Sequence, residues 1–227
     1  MSLLVTARFA ITVVQISKLP RTPQPEIAFV GRSNAGKSSA INILCNRKRL
    51  AFASRTPGRT QALNLFALGP ADEPSAFLVD TPGYGYAAVP LAEKRQWDQL
   101  AGNYLRVRES LAGVVLMADI RRGITEMDAQ LIGWIPLSVP LLILLTKCDK
   151  LSRQQQTTVL RDIQGQMGVK YRMADVQLFS SSNRIGLETA TEWITGYLKN
   201  PVTNLEAHLN MAEASLIDNA TLTKDVG

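Results

Sequence analysis

Apolar positions in this chain fall into two spacings. Residues 26–30, 111–118 and 140–145 are nearly continuous apolar runs. They are short and have no polar face, the pattern of strands buried on both sides of a mostly parallel sheet. Residues 62–68, 76–79 and 176–179 are further short runs of strand character. Between them, residues 39–45, 91–107, 125–134, 152–166 and 187–198 place apolar side chains at helical spacing, with Thr125 and Ser152 where N-caps belong. The alternation predicts an α/β fold: a doubly wound, mostly parallel six-stranded sheet flanked by helices. Residues 69–74 are rich in glycine and proline, so 62–68 and 76–79 are expected to pair as a hairpin at one sheet edge.

The ends of the chain read differently. Residues 3–16 are apolar and β-branched, either a strand or a short helix. Pro20, Pro23 and Pro25 forbid regular structure in the stretch that follows. Residues 1–25 are therefore taken as a lead-in and linker, 26–199 as the main domain, and 200–227 as an acidic tail, either a short helix or a flexible extension. Met1 to Gln15 carries Arg8 and lacks a charged start and a small-residue cleavage site, so it reads as mature protein.

The chemistry starts where the first strand ends. Gly31-Arg32-Ser33-Asn34-Ala35-Gly36-Lys37-Ser38 has the spacing G-x-x-x-x-G-K-S between a strand and a helix, the context of a phosphate-binding loop. Its glycines let the backbone turn tightly, and its N–H groups face an anion together with the positive end of the helix dipole. Lys37 is placed to reach β- and γ-phosphates and the Ser38 hydroxyl to ligate Mg²⁺, with Ser39 following.

Three further stretches end strands. Asp80-Thr81-Pro82-Gly83 offers a carboxylate for the outer shell of Mg²⁺ and a glycine N–H for a γ-phosphate, although D-T-P-G is also an ordinary turn. Thr146-Lys147-Cys148-Asp149 offers a carboxylate that can accept both N1–H and N2–H₂ of guanine, a donor pair that adenine lacks. The usual first residue of that motif is Asn. The Lys147 stem can lie over the base. Phe179-Ser180-Ser181 could present a backbone N–H to guanine O6. In the basic loop 55–61, Thr60 follows Gly58 and Arg59 and could complete the Mg²⁺ shell, with Thr56 as its rival.

Taken in order, G-R-S-N-A-G-K-S, T-P-G-R-T-Q, D-T-P-G-Y-G-Y-A, T-K-C-D and F-S-S resemble the translation-factor-related small GTPases, and among them the EngB ribosome-assembly GTPases. The resemblance covers about residues 5–198. It implies a P-loop GTPase fold, GTP/GDP and Mg²⁺ as ligands, a cytoplasmic setting, and a nucleotide-dependent switch in assembly of the large ribosomal subunit, through which growth and division depend on the protein. It also implies nucleotide contacts at 31–39, 58–60, 80–83, 146–149 and 179–181, and metal contacts at Ser38, Thr60 and Asp80. In related GTPases an Asn at the place of Asn34 helps bind K⁺; here K⁺ binding and simple loop stabilisation stand side by side.

Composition adds partners and setting. The net charge is +6 and the sequence pI about 9.5. The tail holds Glu206, Glu213, Asp218 and Asp225 against Lys224, so the positive charge is concentrated before residue 200. Arg47, Lys48, Arg49, Arg55, Arg59, Arg121 and Arg122 fall on loops or helix ends and could form a face for ribosomal RNA phosphates. No apolar run is long enough to span a bilayer. Cys45 and Cys148 lie inside nucleotide-site elements, which fits a reducing compartment rather than a disulfide. A monomer is the expected state. Tyr84 stands where many GTPases carry the Gln that orients water, so intrinsic hydrolysis is expected to be slow, with Lys37, Thr60 and Gly83 positioning the transition state. The competing readings are an ATP-using P-loop kinase or transport ATPase, against which Asp149 argues, and a nucleotide-regulated RNA scaffold with little turnover.

Overall fold

Alternate residues of the central strands face opposite ways, and each set has its own helices to pack against. The structure, a computed structural model, describes residues 2–52, 62–85 and 98–200. Its strands are β1 (Arg8–Val13), β2 (Glu26–Gly31), β3 (Leu63–Leu68), β4 (Ala76–Asp80), β5 (Leu111–Asp119), β6 (Leu141–Thr146) and β7 (Asp175–Leu178). Its helices are α1 (Lys37–Leu44), α2 (Asn103–Val107), α3 (Glu126–Ile132), α4 (Arg153–Gln166) and α5 (Leu187–Lys199). Ile27, Phe29, Val115, Met117, Leu142 and Leu144 pack with α1 and α5. Ala28, Val30, Val114, Leu116, Ile143 and Leu145 pack on the other face with α2, α3 and α4. Every residue of β2, β5 and β6 is buried, as their unbroken apolarity requires.

The sheet has seven strands in the order β1-β3-β4-β2-β5-β6-β7. β1–β3 and β3–β4 are antiparallel, and the remaining pairs are parallel. The fold class is as expected, but the strand count rises from six to seven. The lead-in supplies the extra strand: Arg8 to Val13 pairs with β3, so the β3–β4 hairpin is not the sheet edge. Arg8 fastens this addition by donating to the carbonyls of Gly69 and Ala71 at 2.8 and 2.9 Å.

Helix starts follow their caps. Thr125 and Asp128 form a capping box at α3, and Ser152 and Gln155 form one at α4. Of the helix expected over 91–107, the described part is a single π turn at Asp98–Gly102 running into α2. The parallel strands β2, β4, β5 and β6 all end on one side of the sheet, on Gly31, Asp80, Asp119 and Thr146. Ligands bind at that side in doubly wound sheets.

Candidate functional site

The phosphate loop leaves β2 and turns into α1. Gly36 at its end has φ +97°, a left-handed conformation that a side chain would strain, and it is the N-cap of α1. Lys37 opens the helix and pairs with the Asp80 carboxylate at the end of β4. Both side chains are nearly buried, so the lysine and the carboxylate face each other across the loop. Gly83 lies against the loop so closely that a Cβ there would meet Ser33 Oγ at 2.9 Å and Ser33 N at 3.1 Å. Ser33 N donates to the Tyr84 carbonyl at 2.8 Å, which fixes this approach. The Thr81 hydroxyl turns inward and donates to the Phe29 carbonyl at 2.9 Å.

At the other side of the loop, β6 ends on Thr146. Its buried hydroxyl reaches the Ala35 carbonyl at 2.7 Å and the Ala118 carbonyl at 3.2 Å. The Thr that replaces the motif's usual Asn thus contacts the phosphate loop itself. Lys147 follows in a left-handed conformation (φ +57°), and its Nζ donates to the Asn34 carbonyl at 2.6 Å and to Asp119 Oδ2 at 3.0 Å. The Cys148 side chain is fully buried in the core, where burial raises its thiol pKa, and it does not line the cleft.

Asp149 closes the far end. The Ser180 hydroxyl donates to Asp149 Oδ1 at 2.6 Å, and Lys150 pairs with Oδ2 at 3.2 Å. The Ser180 hydrogen bond, with help from Lys150, holds the Asp149 carboxyl below the usual carboxylate range and keeps it an acceptor. Ser180 itself is buried, while Ser181 lines the opening. Phe179 is buried; its N–H donates to the Leu145 carbonyl and its carbonyl accepts from Cys148 N–H, so it sets where Ser180 stands.

A cleft of about 690 Å³ joins these parts, lined by Gly36, Ser39, Thr146, Lys147, Asp149 and Ser181 along one run. Its remaining wall includes Arg47 and Lys48, exposed residues in the turn after α1. Asn42 builds that turn: its Oδ1 accepts Leu50 N at 2.8 Å and Ala51 N at 2.9 Å. Of the expected contacts, Gly58, Arg59, Thr60 and the rival Thr56 lie outside the described residues, as do Arg55 and residues 201–227.

Two further side chains bear on the site. Tyr84, next to Gly83, is buried, and its phenol donates to Asp128 at the start of α3. Burial and the neighbouring Asp128 charge raise its pKa well above the usual phenol value. Asp119 was not among the residues singled out from sequence. It ends β5 and accepts from Lys147 Nζ and from Arg121 Nε at 2.9 Å and Nη2 at 2.7 Å. Its signal was a lone acid at the C-terminal end of a buried strand running between two motif strands.

A family model described as 50S ribosome-binding GTPase matches residues 26–147. A probable GTP-binding protein EngB of Burkholderia vietnamiensis is 53% identical over 211 residues, covering 90% of this chain and 96% of its own length. One from Paraburkholderia phymatum is 54% identical over 203 residues, covering 86% of this chain and 92% of its own. The solved structure of a probable GTP-binding protein engB superposes with a TM-score of 0.59 at 17% identity, covering 77% of this chain and 99% of that one. Aquifex aeolicus Era bound to GDP·AlF₄⁻ superposes with a TM-score of 0.61 at 21% identity, covering 76% and 56%. Both likenesses are of fold.

Proposed function

Because the chain belongs to the EngB family of GTP-binding proteins, we propose that it is a slow GTPase whose nucleotide state switches its association with the large ribosomal subunit during assembly. One observation carries the reading. The phosphate loop, the Asp80–Gly83 segment and the Asp149–Ser180 pair stand together at the strand ends, the first and last around one cleft and the second against its loop.

Asp149 accepts the N1–H and N2–H₂ of guanine, and an adenine there would leave the carboxylate short of donors. The Lys147 stem borders the base, and Lys37 and the loop N–H groups bind the phosphates. Mg²⁺ fits the donor set. Ser38, next to Lys37 in α1, offers a hydroxyl and Asp80, paired with Lys37, a carboxylate, and a hard cation that keeps substrate phosphates among its ligands needs few protein oxygens. Among the described residues no cluster of three or more His, Cys, Asp or Glu forms a dedicated cage. Mg²⁺ would neutralise charge on the β- and γ-phosphates. Ser38 would hold it directly, Asp80 through its outer shell, and Thr60 in the triphosphate state.

Hydrolysis is slow in this reading because the side chain after Gly83 does not face the phosphates: the Tyr84 phenol is spent on Asp128. K⁺ near Asn34 would supply the missing positive charge, so hydrolysis runs faster in K⁺ than in Na⁺, and equal rates in the two salts would refute this. Exposed Arg47, Lys48, Arg49 and Arg122 form the face for ribosomal RNA phosphates. Arg121 contributes less, since its guanidinium is held by Asp119. The setting is cytoplasmic, and support of growth and division follows from ribosome assembly. Among the described residues no helix is long and apolar enough to cross a membrane.

The decisive test measures GDP, GTP and ATP affinity for the wild type and Asp149→Asn. Guanine preference that moves toward xanthine nucleotides in the variant supports the reading; equal ATP binding, or no effect of the substitution, defeats it. Co-sedimentation with large-subunit precursors, in GDP and in a non-hydrolysable GTP analogue, then tests the switch. Equal binding in both states would favour a scaffold with little turnover, the reading to which the buried Tyr84 phenol also lends weight.

A further inference from the structure

We infer that Asp119 is a positioning residue of the nucleotide site, holding Lys147 across the base end and, through it, the phosphate loop. The inference rests on the guanine-nucleotide reading above. β5 is apolar from Leu111 to Ala118 and then ends on a carboxylate that is 8% exposed. A carboxylate so placed is costly unless its oxygens are occupied. Here they are: Oδ1 accepts the backbone N–H of Arg121 at 3.1 Å and its Nε at 2.9 Å, and Oδ2 accepts Arg121 Nη2 at 2.7 Å and Lys147 Nζ at 3.0 Å. These contacts, Arg121 foremost, hold the Asp119 carboxyl far below the usual range, so it stays charged.

The register explains why the carboxylate meets this lysine. Asp119 pairs with Thr146 across β5 and β6, and Ile120 N donates to the Thr146 carbonyl at 3.0 Å. Lys147 is the next residue, and its left-handed backbone turns the side chain back over the strand ends. The ammonium then bridges two acceptors, Asp119 and the Asn34 carbonyl, and Asn34 is itself left-handed at φ +65°. A lysine stem is long and flexible, and one pinned at its far end by a charge-assisted contact forms a wall that an unpinned one does not. Among the described residues the Asp119 carboxylate bonds Lys147 and its own turn, so its effect on nucleotide passes through Lys147.

The test is GDP dissociation and GTP steady-state kinetics for Asp119→Asn, Lys147→Ala, the double variant and Arg121→Ala, with thermal melting of each. Asp119→Asn keeps the shape and removes the charge. It should raise GDP Kd and GTP KM about tenfold, the loss of one charge-assisted contact, with kcat unchanged, since binding is lost equally from ground and transition states. The preference for GDP over inosine diphosphate should stay as in the wild type, because Asp149 sets it. The double variant should bind no worse than Lys147→Ala alone. Arg121→Ala, which leaves the Asp119–Lys147 contact, should stay within about threefold of wild type. Additive losses in the double variant, or Arg121→Ala reproducing Asp119→Asn, would make Asp119 a brace of its own turn and overturn the inference. A wild type that fails to prefer guanine nucleotides would instead defeat the parent reading.

Discussion

Removing the Thr146 hydroxyl isolates one contact of the site. Thr146→Val keeps the volume and the β-branch that suits the end of β6, and deletes only a donor. In the structure that donor reaches the Ala35 carbonyl at 2.7 Å and, less closely, the Ala118 carbonyl at 3.2 Å. A hydroxyl carries one proton, so the shorter contact is the one lost. Without nucleotide, the loop can shift to give the Ala35 carbonyl to water. With nucleotide bound, the loop must return to its place and leave that carbonyl unpaired. A buried acceptor without a partner costs about 1–3 kcal/mol, which is roughly a 5- to 150-fold rise in Kd.

The assay is equilibrium binding of GDP and of inosine diphosphate to wild type, Thr146→Val and Thr146→Asn. Valine should weaken both nucleotides by the same factor, since the hydroxyl faces the loop and not the base. Asparagine, which keeps a donor and is the residue the motif more often carries, should stay within about threefold of wild type. A valine variant within twofold of wild type would mean that the Ala35 contact does not organise the loop. A changed ratio between GDP and inosine diphosphate would mean that Thr146 contacts the base.

Other outcomes follow from the same geometry. Tyr84→Phe removes the donor from buried Asp128 and should lower stability by about 1–3 kcal/mol, with kcat within about threefold of wild type; a hundredfold loss of kcat with unchanged melting would place the phenol in the chemistry. Asp119 and Asp149 both have folded pKa values below the ordinary carboxylate value. Their contribution to stability is therefore complete above that value and is lost only as pH falls through the lowered ones. Melting followed from about pH 8 to pH 5 should show no loss attributable to either, and a loss in that window removed by Asp149→Asn would contradict the sign. If RNA is held by the turn after α1, the slope of log affinity against log salt should become shallower by about one for each phosphate contact removed in Arg47→Ala and Lys48→Ala. An unchanged slope would move the RNA face elsewhere.

Much of this site was legible because its chemistry is carried by local patterns. A glycine-bounded loop between strand and helix, and the motif acids Asp80 and Asp149 that follow strands, are visible in sequence as spacing, and the structure places them at one side of the sheet. What escaped depends on register between distant segments. Residues 3–16 read as either a strand or a short helix, and pairing with β3 decides it for Arg8–Val13, a strand intermediate or exposed at every position but Val13. The role of Thr146 depends on which way its hydroxyl turns. The sequence distance from Ala35, 111 residues, gave no hint of that direction. Asp119 was hidden for the same reason: its partner Lys147 lies 28 residues away, on the neighbouring strand end.

The loop between β2 and α1 is gripped on two sides by different partners. On one side Ser33 is bonded to the Tyr84 backbone and packed on Gly83, and the Arg32 guanidinium reaches the Gly85 carbonyl at 3.3 Å. On the other, the carbonyls of Asn34 and Ala35 are held by Lys147 and Thr146. In the GTPase reading, only the Gly83 side meets a γ-phosphate, while the base side is shared by di- and triphosphate. A ligand shifts an equilibrium only by its differential affinity for the two states. Substitutions on the base side, at Asp119, Lys147 or Thr146, should then change GDP and GTP affinity by one common factor, and the switch should keep its size. Substitutions against Gly83 should change their ratio. The Tyr84 phenol, anchored on buried Asp128, fixes the chain directly after Gly83.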